Sequence, residues 1–521
     1  MRNPEILRML AISLLALAGG VLGARPGPVA ATTNVTAISA GLSYTCAVTA
    51  AGAVACWGYN DSGQLGDGTD KSFHGRPVDV VGLNESITLV TASVDYSCAV
   101  TAGGGVKCWG SNFHGELGNG TTTTSISTPP VNVVGLDTQV TTVAAGRSWH
   151  TCALTVAGGV KCWGYNNFGQ LGDGSLGGVT NGGRAFPDDV VGMDSGVSDV
   201  RVGSVYTCAL TSEGAVQCWG LNSSGQLGDG TNENSAVPVS VVGLESGAKA
   251  ITAGDWHNCA LMANDGVKCW GDNEFGQLGD GTAGDGDEET NDNSSNIALD
   301  VVGLNAGVVA LDAGMWNTCA LTDVGGVKCW GHNGYGQLGN GTTLNSATPV
   351  DVIGLDDEVI AISAGGLHTC ALMASGTVKC WGGGDLLGDG TLITSPVPVD
   401  VLFDADNDGC ADGRELGSTA VRGGLRNPKS FWDFFDTPDS VNVRDRIVSV
   451  ADIGRVAARF GTSGDPAIDP LSAPPASGYH TAFDRSPPAQ GAELWQPGPP
   501  DGSITIGDIG FVVAQFGHSC M

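Results

Sequence analysis

The sequence predicts an all-β fold, a seven-bladed β-propeller, followed by a smaller tail of different pattern. Three observations predict the ring. Seven cysteine pairs recur with their members ten positions apart: Cys46 with Cys56, Cys98 with Cys108, Cys152 with Cys162, Cys208 with Cys218, Cys259 with Cys269, Cys319 with Cys329 and Cys370 with Cys380. Successive first cysteines are 52, 54, 56, 51, 60 and 51 residues apart, a period that marks a propeller or a solenoid. Glycine is abundant, 83 of 521 residues, and only 15% of residues are charged, which suits a repeat fold made of short strands and tight turns.

Each unit carries the same elements in order. In the third, Thr151–Thr155 has the residues of a strand, Val156–Gly159 those of a turn, and Val160–Trp163 those of a return strand. Such a hairpin sets Cys152 opposite Cys162 at a separation a disulfide tolerates, so one cross-strand disulfide is expected in every unit. The rival reading is reduced cysteines packed as small hydrophobes. Zinc is disfavoured, because the spacing is not that of a C-x-x-C knuckle and no histidine recurs at a ligand-like offset after the second cysteine. Cys-Trp-Gly follows in all seven units, ending at Gly58, Gly110, Gly164, Gly220, Gly271, Gly331 and Gly382. Its tryptophan is expected to bury its ring between neighbouring units. A third apolar segment such as Val78–Leu83 and a fourth such as Val140–Ala145 complete four short strands, the content of a propeller blade.

The units, with H-T-C-A-L-T, G-V-K-C-W-G and N-x-x-G-Q-L-G-x-G as they stand from His150 onward, resemble the regulator-of-chromosome-condensation repeat over residues 35–402. That resemblance implies a seven-bladed propeller. The chain departs from the pattern in adding the cysteine pairs and in its last unit, where Gly383-Gly384-Asp385-Leu386-Leu387 replaces the N-x-x-G-Q-L core, leaving ring closure open.

Residues 1–31 are expected to be a signal peptide. Arg2 and Arg8 precede an apolar run, Met9 to Gly23, and small residues offer cleavage after Ala24 or near Ala30 and Ala31. The alternative is an uncleaved anchor, but the run is short for a membrane span, and no later segment reaches 18 apolar residues. Sixteen cysteines, an even count, agree with export and disulfide formation. The expected location is secreted or at the cell surface.

Residues 403–521 form a second region. The stretch 404–415 fills the slots of a twelve-residue calcium loop: Asp404, Asp406, Asp408, the Cys410 carbonyl, Asp412 and Glu415, with Gly409 at the sharp turn. The alternative is an acidic, solvated linker. A strand-like segment precedes Asp404, so the loop is more similar to thrombospondin type 3 or dockerin loops than to an EF-hand. Ser449–Gly461 matches Thr505–Gly517 at an offset of 56, two short amphipathic helices, α-helical content that resembles a degenerate dockerin pair. Asp445 with Asp452, and Asp501 with Asp508, are weaker calcium candidates, since the first-ligand slots hold Val441 and Pro497; Asp452 and Asp508 also suit helix N-caps. Residues 462–500, rich in Pro and Gly, read as a linker. Cys410 and Cys520 are left over and are expected to pair.

No Gly-x-Ser-x-Gly or His-Glu-x-x-His motif is present, so no enzyme is expected. A formal net charge of −31 repels phosphate backbones and disfavours nucleic acid. The slot two before the first cysteine holds His150, His257 and His368, but also Tyr44, Tyr96, Tyr206 and Asn317, and such interchange points to a structural role. The Asp or Asn of Gly-[Asp/Asn]-Gly (Asp67, Asn119, Asp173, Asp229, Asp280, Asn340, Asp389) reads as a turn former. The slot three before the first cysteine varies: Ser43, Asp95, Trp149, Val205, Trp256, Trp316, Leu367. Trp149, Trp256 and Trp316 lie at one level of the ring and suit a ligand-binding face, with filling of core space as the alternative. The function expected is therefore an extracellular or cell-surface binding scaffold with a protein or glycan partner on one face. The alternatives are a regulator or inhibitor of a secreted enzyme, a dockerin-like assembly component, and, through the family resemblance alone, a guanine-nucleotide exchange factor, whose GTPase an exported chain would not meet.

Overall fold

In a computed structural model the described residues are 34–403, apart from 70–72, 147–148, 178–182, 285–292 and 356–357. The calcium-loop, dockerin-like, linker, Cys410–Cys520 and leader expectations all fall outside them. The described chain folds into seven four-stranded antiparallel sheets. Each is one unbroken segment: 35–79, 87–132, 140–189, 197–240, 248–300, 308–351 and 359–400, blades 1 to 7. Blade 1 has strands Val35–Ala40, Tyr44–Thr49, Val54–Tyr59 and Phe73–Asp79 in spatial order.

The predicted hairpin of the third unit is present as His150–Thr155 and Val160–Tyr165. Cys152 lies directly opposite Cys162 in it. The other six units repeat this register: Cys46 faces Cys56, Cys98 faces Cys108, Cys208 faces Cys218, Cys259 faces Cys269, Cys319 faces Cys329 and Cys370 faces Cys380. All seven pairs are bonded, each at a Cα separation of 4.1 Å. Direct opposition in an antiparallel pair is what brings the Cα atoms this close. The rival reading, reduced cysteines packed as small hydrophobes in all seven units, does not match this geometry, in which no described cysteine is free.

One boundary differs from expectation. The segment Val78–Leu83 is not a whole strand: the fourth strand begins at Phe73 and ends at Asp79. Gly82, at φ 88°, turns the chain after it, a conformation that favours glycine. Val140–Ala145 is a strand as drawn, but it is the first of blade 3 rather than the last of blade 2.

The first strands carry small residues and surround the ring axis. The Cys-Trp-Gly tryptophans, Trp57, Trp109, Trp163, Trp219, Trp270, Trp330 and Trp381, are wholly buried. Each packs against the preceding blade: Trp109, for example, joins Leu65, Val80 and Tyr44 in one apolar cluster. Its indole N–H donates to the carbonyl of Gln64, 2.8 Å away, in the previous blade. The same bond runs from Trp163 to Glu116, Trp219 to Gln170, Trp270 to Gln226, Trp330 to Gln277 and Trp381 to Gln337. A neighbouring side chain donates to that same carbonyl, as Ser97 does to Gln64 at 2.9 Å. Gly66 (φ 68°) follows Leu65, and a Cβ there would lie 2.7 Å from the Trp109 indole nitrogen, so only glycine lets the ring seat.

The degraded seventh unit closes the ring through this same latch. A short 3-10 turn, Gly384–Leu386, replaces the Gln-bearing loop, and the Leu386 carbonyl accepts from the Trp57 indole at 3.0 Å. A backbone acceptor does not depend on its own side chain, which is why the lost glutamine is tolerated. Val35, Ala47 and Trp57 of blade 1 then share an apolar cluster with Leu372, Val378, Leu387 and Val401.

The variable His/Tyr/Asn slot is buried and bridges blades. His150, His257 and His368 each set Nε2 within 2.6–3.0 Å of a threonine hydroxyl of the next blade, Thr207, Thr318 and Thr45. Tyr96 and Tyr206 instead donate to the His150 and His257 carbonyls, both at 2.7 Å. The turn reading of Asp67 also holds: its Oδ1 accepts from the Thr69 N–H at 2.9 Å and from Asn60 Nδ2 at 3.1 Å.

Candidate binding face

Antiparallel order places two loops of every blade at the same end: the one between the first and second strands and the one after the third. The slot three before the first cysteine lies in the first loop. The residue after Cys-Trp-Gly and the residue before Gly-Gln-Leu-Gly lie in the second. Trp149, Trp256 and Trp316 therefore share one face. All three are half-buried, unlike the enclosed Cys-Trp-Gly set.

At the blade 2–3 junction Trp149 meets His114 with ring centroids 5.2 Å apart and Tyr165 at 6.2 Å. Phe113 stacks edge-on to His114 at 4.8 Å and is itself exposed. At the blade 5–6 junction Trp316 meets Phe275 at 5.4 Å and His332 at 5.6 Å, with Tyr335 exposed at the edge. Burial pushes His332 below the usual histidine range, so it is neutral among these rings. Trp256 has no aromatic ring against it among the described residues; the corresponding slots there hold Ser224 and Asp272.

Carboxyl groups stand behind the first cluster. Trp149 donates its indole N–H toward Asp95 Oδ2 at 3.4 Å. Glu116, fully buried, replaces the glutamine of the other intact units and accepts from Ser111 Oγ at 2.9 Å and from the His114 N–H at 2.6 Å. Burial is the leading cause that raises Glu116 to about 7, with the Asp95 charge adding to it. Burial also raises Asp95 and Asp272. Sequence reasoning singled out Trp149 but missed Glu116, although it is the one departure from Gln-Leu-Gly in units 1 to 6 and was open to the same slot-by-slot comparison. It also missed Phe275 and His332, which become partners of Trp316 only once neighbouring blades pack.

The first strands line a central channel of about 380 Å³. Its walls are mostly Ala, Val, Ser and Thr, joined by side chains that receive the next strand's N–H, as Ser39 does from Ala92 at 2.9 Å. Arg201 projects into it, ion-paired to Asp199 at 3.0 Å, with Asp312 farther off. Among the described residues no group of three or more His, Cys, Asp or Glu could hold a metal ion, and no helix is long and apolar enough to cross a membrane.

Comparison with known proteins places the fold. The RCC1-like domain matches residues 15–300, and the regulator of chromosome condensation (RCC1) repeat matches 325–372. The ultraviolet-B receptor UVR8 of Arabidopsis thaliana is 30% identical over 357 residues, 67% of this chain and 77% of that protein. The crystal structure of human WBSCR16 superposes with a TM-score of 0.59 at 22% identity, covering 68% of this chain and 94% of that one. That of Prp20p from Saccharomyces cerevisiae, described with its binding to Gsp1p and histones, gives 0.55 at 20% identity over 64% and 80%. A seven-bladed ring, a repeat matched unit after unit and a relative aligned over most of its length agree: this chain belongs to the RCC1-like domain family.

Proposed function

We propose that this chain is an exported binding scaffold that holds a protein or glycan partner on the face carrying Trp149, Trp256 and Trp316, and that it acts without catalysis. The observation that supports this most directly is the split between two tryptophan sets. One is repeated in every unit and enclosed; the other is confined to three units and half-open on one face. A repeat scaffold keeps its core constant and recognises partners through positions that differ. Relatives fit a binding role: one is a receptor, and another is described with protein ligands. The bonded cysteine pairs agree with an oxidising location. Calcium held by Asp404, Asp406, Asp408, Asp412 and Glu415 would order the tail in this reading.

The test is capture from the source cell's envelope and medium by the full, oxidised chain, beside a triple variant with Trp149, Trp256 and Trp316 each changed to Ala. A partner kept by the first and lost by the second is the expected result. Equal capture by both removes the face. Slowing of a co-secreted enzyme by the pure chain would favour the regulator reading instead.

A further inference from the structure

We infer that the blade 2–3 end of this face is a subsite for a cationic side chain, the ammonium or guanidinium group of a partner protein, seated on the open side of Trp149 with Asp95 and Glu116 behind it. This rests on the binding-face reading and narrows it to one junction and one chemistry.

Three features of that junction point the same way. The first is the aromatic platform: Trp149, Tyr165 and His114 have centroids within 4.8–6.2 Å of one another, and Phe113 extends the surface outward. Ring faces attract cations through their quadrupole, indole most of all. The second is the placing of charge. Asp95 accepts the Trp149 indole N–H, so a negative group polarises the very ring that is half-open, and Glu116 lies under His114 through the His114 N–H. The third is that these carboxyls are poorly solvated. Asp95 Oδ1 is enclosed and has no hydrogen-bond partner, and Glu116 is fully buried. Ionising these enclosed acids is costly, with His114 as the described base beside Asp95, and a cation brought to the rim of the platform offsets that cost.

No other junction combines these features among the described residues. At the blade 5–6 junction the slot of Glu116 holds Gln277, whose amide donates to the buried Asp272 at 2.6 Å, and the neutral His332 is bonded to Gln337. The sequence shows the same contrast: unit 2 alone carries both an acid three before its first cysteine and a glutamate in Gly-Gln-Leu-Gly. A net charge of −31 adds a long-range attraction for a basic partner, while a neutral glycan would gain nothing from the two acids.

Site-resolved binding tests this. The full, oxidised chain is labelled with 5-fluorotryptophan, and the Trp149, Trp256 and Trp316 fluorine signals are assigned by single substitution. N-acetyl-arginine amide, N-acetyl-lysine amide, N-acetyl-glutamine amide and a neutral glucan hexamer are then titrated separately. The expected result is a saturable shift of the Trp149 signal with the two cations only, weakened about tenfold or more in a double variant carrying Asp95→Asn and Glu116→Gln. That variant keeps the indole acceptor and removes the charge. Glu245→Gln, at an exposed acid on another loop, should leave the response intact. An equal response to the glutamine amide, a response to the glucan alone, or a silent Trp149 each overturns the inference. If Trp149 is silent while partner capture still needs Trp256 and Trp316, the binding face stands and only the cation subsite falls. If capture needs none of the three, the face itself falls.

Discussion

At the scale of the residue, Glu116 stands where the other five intact units carry glutamine. Its backbone carbonyl does what each glutamine carbonyl does, receiving the Trp163 indole at 2.8 Å. Its side chain does something different, placing an acid where the other units have a neutral amide. Because its folded value is about 7 against 4.5 for an ordinary glutamate, the folded chain holds a proton that the unfolded chain releases. Stability from this group is therefore complete below pH 4.5 and falls as pH rises toward 7. Above that the loss is full, on the order of 3 kcal/mol for a shift of this size. Glu116→Gln should raise the urea midpoint at pH 8 and leave it nearly unchanged at pH 4.5. An equal gain at both pH values would show that shape rather than ionisation is at issue. The amide restores the residue of five sister units, so misfolding is not expected to obscure the result.

At the scale of the element, the hairpin that carries each cystine was legible because its parts are local: strand residues, a four-residue turn and two cysteines in register. The cystine closes a short loop, and loop-closure entropy assigns about 2–3 kcal/mol to each such bond. Replacing Cys208 and Cys218 together by Ala should lower the unfolding free energy of the oxidised chain by about that amount and leave the cystines of the other six blades in place. Peptide mapping with a thiol label, together with urea unfolding, would check both points; no change in stability would mean that packing alone fixes the hairpin. The outer strand was less legible. Val78–Leu83 reads as apolar and continuous, yet the strand starts upstream at Phe73, in a segment of mixed polarity, and stops before Gly82. What sets that strand is pairing with the third strand, with Cys56 opposite Val78 and Tyr59 opposite Phe73, which no local pattern announces. The aromatic clusters were half legible for the same reason. Trp149 and Trp316 stand out by slot, whereas His114 and Phe275 belong to the preceding unit and become their neighbours only across a blade junction.

At the scale of the whole molecule, the period in the sequence conveys the number of blades, but closure depends on contacts 329 residues apart, such as Trp57 with Leu386. If the seventh junction is equivalent to the others, Trp57→Ala and Trp219→Ala should destabilise the oxidised chain alike, by about 3–5 kcal/mol each, since each empties an enclosed tryptophan site and leaves a carbonyl with one donor fewer. A far smaller loss at Trp57, measured by urea unfolding, would mean that blades 7 and 1 are only loosely joined. Each blade is a single chain segment, and among the described residues no strand of one end is lent to a sheet of the other. The seam is thus made of the same indole-to-carbonyl contact as the six joints inside the chain. The ring has a beginning only on the gene: a circularly permuted chain that starts at blade 4 and runs through a linker into blade 1 would assemble the same seven joints. Which unit comes first is then a matter of ancestry rather than of mechanics.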